Sequence, residues 1–168
     1  MLDELSISNS KTLEIVIGYI DSPDSDPDIL MRAIHAMPVI SGSAQQMENI
    51  ISKLARLSAK HPSESVRSSS LFKISTWAKD AQDLEAVIQA LDKRRPPDDR
   101  ISAVMAISQS NVTDDSLRDT LVSRMMDTEE LWEIRRYSAE ALERFKLDDN
   151  DYKLYMKFKL EQADIQSE

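Results

Sequence analysis

The stretch Leu131–Phe145, LWEIRRYSAEALERF, decides the fold: alone it is an amphipathic helix, and beside the rest of the chain it is one of four copies. From Ile134, IRRYSAEALERF aligns without gaps with ILMRAIHAMPVI from Ile29, VRSSSLFKISTW from Val66 and DRISAVMAISQS from Asp99. The fifth position is small in all four (Ala33, Ser70, Ala103, Ser138). The ninth is a large aliphatic residue or methionine (Met37, Ile74, Ile107, Leu142). The second is arginine three times (Arg67, Arg100, Arg135), with Leu30 the exception, and the eighth is alanine three times (Ala36, Ala106, Ala141), with Lys73 departing. Starts at 29, 66, 99 and 134 leave steps of 37, 33 and 35 residues, the period of stacked helical hairpins.

Second amphipathic segments, centred on Leu54, Ile88, Leu121 and Tyr155, keep the same beat between the copies. Connectors such as DSPDSDPD, KHPSES and DKRRPPDD supply the Pro, Asp and Ser that end one helix and cap the next. The pattern predicts helices over 11–21, 28–40, 44–59, 64–79, 82–94, 98–110, 114–126, 129–146 and 150–162. These make a single domain over 1–168, with hairpins at 11–40, 44–79, 82–110 and 114–146 and a cap at 150–162.

From about Ser10 to Phe145 the chain resembles the HEAT-repeat family, whose second helix follows an acidic or proline-containing turn and reads V-R-x-x-A-x-x-A-L. IRRYSAEAL is the closest copy; DRISAVMAI and VRSSSLFKI follow, and ILMRAIHAM lacks the arginine. The tetratricopeptide repeat shares the period, but its glycine and aromatic positions are not met in a chain with two glycines. The resemblance implies an all-α fold, an α-α superhelix of about four hairpins closed by a C-terminal capping helix. It also implies that each arginine, with an acid in the preceding turn, joins a ladder between repeats. Glu64 beside Arg67, Asp98 beside Arg100 and Glu133 beside Arg135 are the expected pairs, bridging partly solvated repeats.

In such a family the second helices line the concave face, where a partner would sit. The third, fourth, seventh and tenth columns give Met31, Arg32, His35 and Pro38; Ser68, Ser69, Phe72 and Ser75; Ile101, Ser102, Met105 and Ser108; and Arg136, Tyr137, Glu140 and Glu143. The middle two sets are uncharged although 30% of the chain is charged, and Phe72, Ile101 and Met105 put apolar side chains among them. Ser68, Phe72, Ser75, Ile101, Met105, Ser108, Arg136 and Tyr137 are the candidate partner-binding residues. A register shifted by one residue would instead place these side chains in the core.

Composition bounds the rest. With 41% hydrophobic residues, only two glycines and 5% aromatics, the 168-residue chain suits a soluble helical domain. It has no cysteine, hence no disulfide or thiolate chemistry, and a cytoplasmic setting is expected. The opening MLDELSISNSK carries acids where a signal peptide carries a basic region, and no run approaches the ~18 apolar residues of a membrane span. A formal charge of -9 argues against nucleic-acid and anionic-membrane partners. It suits another protein as partner, one that is basic or presents a helix or an extended segment.

Catalysis has little to rest on. His35 and His61 are far apart and read as solvated, the acidic runs DSPDSDPD and LDDND lack the frame of an EF-hand, and no glycine-rich phosphate loop exists. No cofactor or metal is expected. The function expected is a non-catalytic protein-binding module or adaptor, the family's small bacterial immunity proteins offering an inhibitor as the model. The alternative is an enzyme or ligand-binding protein of the same fold, like a bilin lyase or an alkylpurine DNA glycosylase, although the latter uses a basic groove. The tail YKLYMKFKL, from Tyr152 to Leu160, alternates with a strand's period of two, while the repeat spacing favours a capping helix. ADIQSE is expected to fray.

Overall fold

The computed structural model describes residues 13–22, 26–37 and 44–165. Among these, every regular element is a helix: α1 (13–21), α2 (Pro27–Ala36), α3 (Ala44–Lys60), α4 (Glu64–Trp77), α5 (Glu85–Gln89), α6 (Pro97–Gln109), α7 (Asp115–Met126), α8 (Trp132–Leu142) and α9 (Asp149–Ile165). The expected helical residues 11–12 and 38–40, Pro38 among them, lie outside the described residues, as do 166–168.

Local chemistry sets most of the helix starts. The Asp26 carboxylate accepts from the N–H groups of Asp28 and Ile29 at 2.9 and 3.3 Å, and Pro27 opens α2 without wasting a donor. Asp114 does the same for α7 through Ser116 N–H at 2.8 Å, and Asp148 for α9 through Asn150 and Asp151 N–H, both at 2.8 Å. Pro96 and Pro97 open α6.

These caps carry a pH signature. The Ser116 hydroxyl and its backbone N–H hold the Asp114 carboxyl below its ordinary value, and the Asp151 and Asn150 N–H groups hold Asp148 down likewise. A carboxyl depressed in the folded state contributes stability that is whole above its unfolded pKa and is lost as pH falls through the folded one. Denaturant midpoints measured from about pH 5 down to about pH 2 should therefore fall. A variant carrying Asp114→Asn and Asp148→Asn, which keeps neutral acceptors, should show a flatter acid limb; an unchanged slope would mean that the caps contribute nothing.

Two spans differ from the periodic expectation. Over 82–94 only Glu85–Gln89 is α-helical, because the flanking turns tighten. The N–H groups of Leu84, Val87 and Leu91 reach the carbonyls of Ala81, Leu84 and Ile88, three residues back, and the Asp80 and Asp92 carboxylates fold the chain onto their own backbone. Expected at 129–146, α8 covers only Trp132–Leu142, since Glu130 accepts from Leu131 N–H and a turn follows at 143–145. The tail is a helix throughout Asp149–Ile165, including the alternating YKLYMKFKL and the first residues of the expected frayed end.

Helices pack in a regular order. Within hairpins α3 lies on α4, α5 on α6 and α7 on α8; between hairpins α2 lies on α4, α4 on α6 and α6 on α8, so the even-numbered helices form one continuous row. On the other side α3 touches α5, and α7 touches α9. The aligned columns explain the contacts. The ninth-position residues Met37, Ile74, Ile107 and Leu142 are all buried, and so are Ser70, Ala103 and Ser138 of the fifth. The two buried hydroxyls donate to the carbonyls of Val66 and Ile134 one turn back, at 2.8 and 2.7 Å, so each serine acts as a small residue without an orphaned polar group.

Arginines join the units, though to other acids than the sequence suggests. Glu64, Asp98 and Glu133 are exposed and make no ion pair among the described residues. Arg67 on α4 instead donates from Nε to both oxygens of Asp99 on α6, at 2.9 and 3.1 Å, and Arg95 reaches the same carboxylate at 2.7 Å. Asp99 fills the first column, apolar in the other copies, and is only 2% exposed. Arg100 meets Glu130 at 2.9 Å, the pair being 8% and 7% exposed, and is no partly solvated bridge. Arg135 donates to the Met125 carbonyl at 2.9 Å and lies 5.0 Å over the Phe158 ring of α9.

A second use of basic side chains closes helix ends. Lys73 donates to the carbonyls of His35 and Met37 at the end of α2, Arg95 to Ser58 and Ala59 at the end of α3, and Arg144 to Ile107, Ser108 and Val112 at the end of α6. Each answers the unpaired carbonyls and negative pole of a neighbouring helix. The departure of Lys73 from alanine in the eighth column thus has a cause.

Candidate functional site

The row α2, α4, α6, α8 exposes one edge of each helix, and the candidate residues fall there unevenly. Ser68 and Phe72 on α4, Ile101, Met105 and Ser108 on α6, and Arg136 and Tyr137 on α8 are half-buried, neither sunk in the core nor free in solvent. The Ser68 and Ser102 hydroxyls are 3.0 Å apart, which makes α4 and α6 neighbouring rungs at these positions. Phe72, Ile101 and Tyr137 rest partly on the core beneath them.

Ser75 is a correction. It is 1% exposed with an unpartnered hydroxyl, and its neighbour in the scheme, Ser69, is buried as well. Both turn toward the packed side because α4 is covered on three flanks, by α2, α3 and α6. His61, read as solvated, is also otherwise: half-buried, it accepts from Ser63 N–H through Nδ1 at 3.1 Å and so helps to start α4. His35 is exposed.

Charge is arranged along the row. At the α2 end Arg32 is exposed; at the α8 end Arg136 pairs with Glu140 at 2.5 Å and lies 4.2 Å over the Tyr137 ring. Glu143 accepts from the Tyr155 hydroxyl at 3.0 Å and from Lys159 at 3.4 Å; burial, ahead of that carboxylate, raises the Tyr155 phenol above its ordinary value. In the middle stands Lys73, whose ammonium is spent on the end of α2 and whose pKa burial lowers. Between the two charged ends runs a strip of serine, methionine, isoleucine and aromatic side chains.

The strip opens into a hollow of about 410 Å³ between α6 and α8. Met105, Ser108 and Tyr137, three of the candidates, line it together with Ala141, and Glu140, Glu143 and Arg144 stand at its edge. Arg144 lies in the eleventh column, outside the columns read for the concave face, yet its three carbonyl bonds tie the turn after α8 to the end of α6 beside the hollow. Among the described residues no group of three or more His, Asp or Glu is placed to hold a metal ion, and no helix is long and apolar enough to cross a membrane.

The chain matches no protein-family model, and no match to it is found among curated proteins or solved structures.

Proposed function

We propose that the chain is a HEAT-like helical solenoid that works in the cytoplasm as a non-catalytic protein-binding module, an adaptor or an inhibitor of a cognate partner. The even-numbered helices form its receiving face. One observation carries this: half-buried Phe72, Ile101, Met105 and Tyr137 recur on three successive even-numbered helices, and among the described residues the charges beside them, Lys73, Glu140, Glu143 and Arg144, each have a partner. Side chains of this kind gain from being covered, since about 25 cal/mol per Å² of apolar surface is recovered on burial. Ions at both ends would set the register of an incoming helix or extended segment, and the net charge of -9 favours a basic one.

Met105 is the position to test, because it lines the hollow and lacks the core contacts of Phe72, where glutamate would also cost stability. Met105→Glu should leave thermal stability close to that of the parent while weakening capture of the cellular partner at least about tenfold. Equal capture by parent and variant would place the interface elsewhere.

A further inference from the structure

A second concavity lies on the odd-numbered helices, away from the receiving face and independent of it. Because α5 is a single short helix between the long α3 and α7, a cleft of about 650 Å³ opens above it. Its floor is apolar and low, made by Ala55 and Ala59 of α3 and by Ala86, Ile88 and Ala90 around α5. Ser58 and Gln89 also line the cleft, and its charged lining is three guanidinium groups, Arg94, Arg95 and Arg124, with a single carboxylate, Asp92, in a chain whose overall charge is strongly negative.

The state of those charges matters more than their number. Asp92 is fully engaged by Arg94, through N–H, Nε and Nη2 at 2.8, 2.9 and 2.6 Å. Arg95 spends its terminal nitrogens on Asp99 and the end of α3, while its Nε is buried without a partner. The Arg124 guanidinium makes no hydrogen bond among the described residues, and its ion pair there, to Glu130 Oε2, is 4.0 Å long. That oxygen is itself buried and unpartnered, since Glu130 is committed to Arg100 through Oε1. Asp127, the remaining carboxylate that feels Arg124, is held by Lys93 at 2.8 Å. Asp92, Asp127 and Glu130 each hold a closer cation than Arg124, whose five N–H donors make no hydrogen bond among the described residues.

We propose that this cleft is a binding site for an oxyanion carried on a small apolar body. Arg124 receives the anion with Arg94 at the rim, and the alanine floor takes the apolar part. Guanidinium suits both a carboxylate and a phosphate, which it can meet with two parallel hydrogen bonds. The anion thus has two sources, a phosphomonoester or the carboxyl terminus of a peptide.

Isothermal titration of the whole chain with phenyl phosphate, N-acetyl-leucine and inorganic phosphate separates them. One of the two organic anions should saturate a single site at about 1 mM or below, and inorganic phosphate, which has no apolar part, should bind about tenfold more weakly. Tighter phenyl phosphate assigns a phosphomonoester, and tighter N-acetyl-leucine a peptide carboxyl terminus. Arg124→Gln, which removes no side-chain hydrogen bond among the described residues and only the 4.0 Å contact to Glu130, should weaken binding about tenfold or more, and Ala59→Leu, which fills the cleft from α3, should abolish it. Both variants should retain the parent's helical circular dichroism. Absence of saturable binding by either organic anion, or unchanged affinity in Arg124→Gln, would overturn the assignment.

Discussion

Asp99→Ala is expected to cost ~3–5 kcal/mol of folding stability, more than removal of any exposed charge in the chain. The carboxylate is buried on α6 and holds two guanidinium groups, Arg67 from α4 and Arg95 from the turn before α6. Its loss leaves both cations largely out of water without a counter-charge, which is where the penalty arises; the attraction in the intact pair is largely offset by desolvation. Two controls separate these effects. Replacing Glu64, exposed and unpaired, by alanine should change stability by less than about 0.5 kcal/mol. Adding Arg67→Met to an Asp99→Leu background should recover part of the loss, because it removes one stranded charge and restores the apolar first column found in the other copies. Urea titration of the set decides the point, and a loss below about 1 kcal/mol for Asp99→Ala would mean that the pair is solvated and holds nothing together.

The second large effect belongs to the ninth column. Ile74 on α4 and Leu142 on α8 are fully buried, so truncation to alanine leaves a cavity that the helices close only in part. Each substitution should cost ~2–5 kcal/mol. Ile15→Ala on the exposed edge of α1 should cost under about 0.5 kcal/mol. Equal small losses at all three positions would show that the ninth column is not a packing column.

The repeat was legible because its signal is physical: a small residue and a large aliphatic one, four apart on one helix face, are what close packing against a neighbour requires, and they recur four times. Long polar side chains left no such trace. Arg67 reaches past its own turn to Asp99, and Arg100 to Glu130, because a guanidinium on a flexible stem can span to the next unit, whereas sequence proximity points only to Glu64 and Asp98. One clue was present, an aspartate in an otherwise apolar first column, and a buried carboxylate there demands a cation. Around α5 the spacing of Leu84, Val87 and Leu91 fits three residues per turn as well as 3.6 over so short a span, so tightening of the backbone could not be read.

On the proposed receiving face, Phe72, Ile101, Met105 and Tyr137 were legible as apolar or aromatic residues in columns outside the fifth and ninth. Ser75 was not, since serine is equally at home under a neighbouring helix and in water, and its place depends on how α2 and α3 close over α4. The tail, read as a capping helix from the repeat spacing, is one, and its strand-like alternation has a physical cause. Tyr152, Met156 and Leu160 fall on the exposed side of α9 while Phe158 is buried against Trp132, their ring centres 5.1 Å apart, so apolar residues on both sides of a helix imitate a strand's alternation.

Photo-crosslinking tests the central claim, that the even-numbered helices receive a protein partner, most directly. A benzophenone amino acid placed at Met105 in the α6–α8 hollow should give a discrete covalent adduct when the chain is irradiated in extract of its own cells, and the same probe at exposed Ser123 on α7 should give none. An adduct from Ser123 alone, or from neither position, would contradict it.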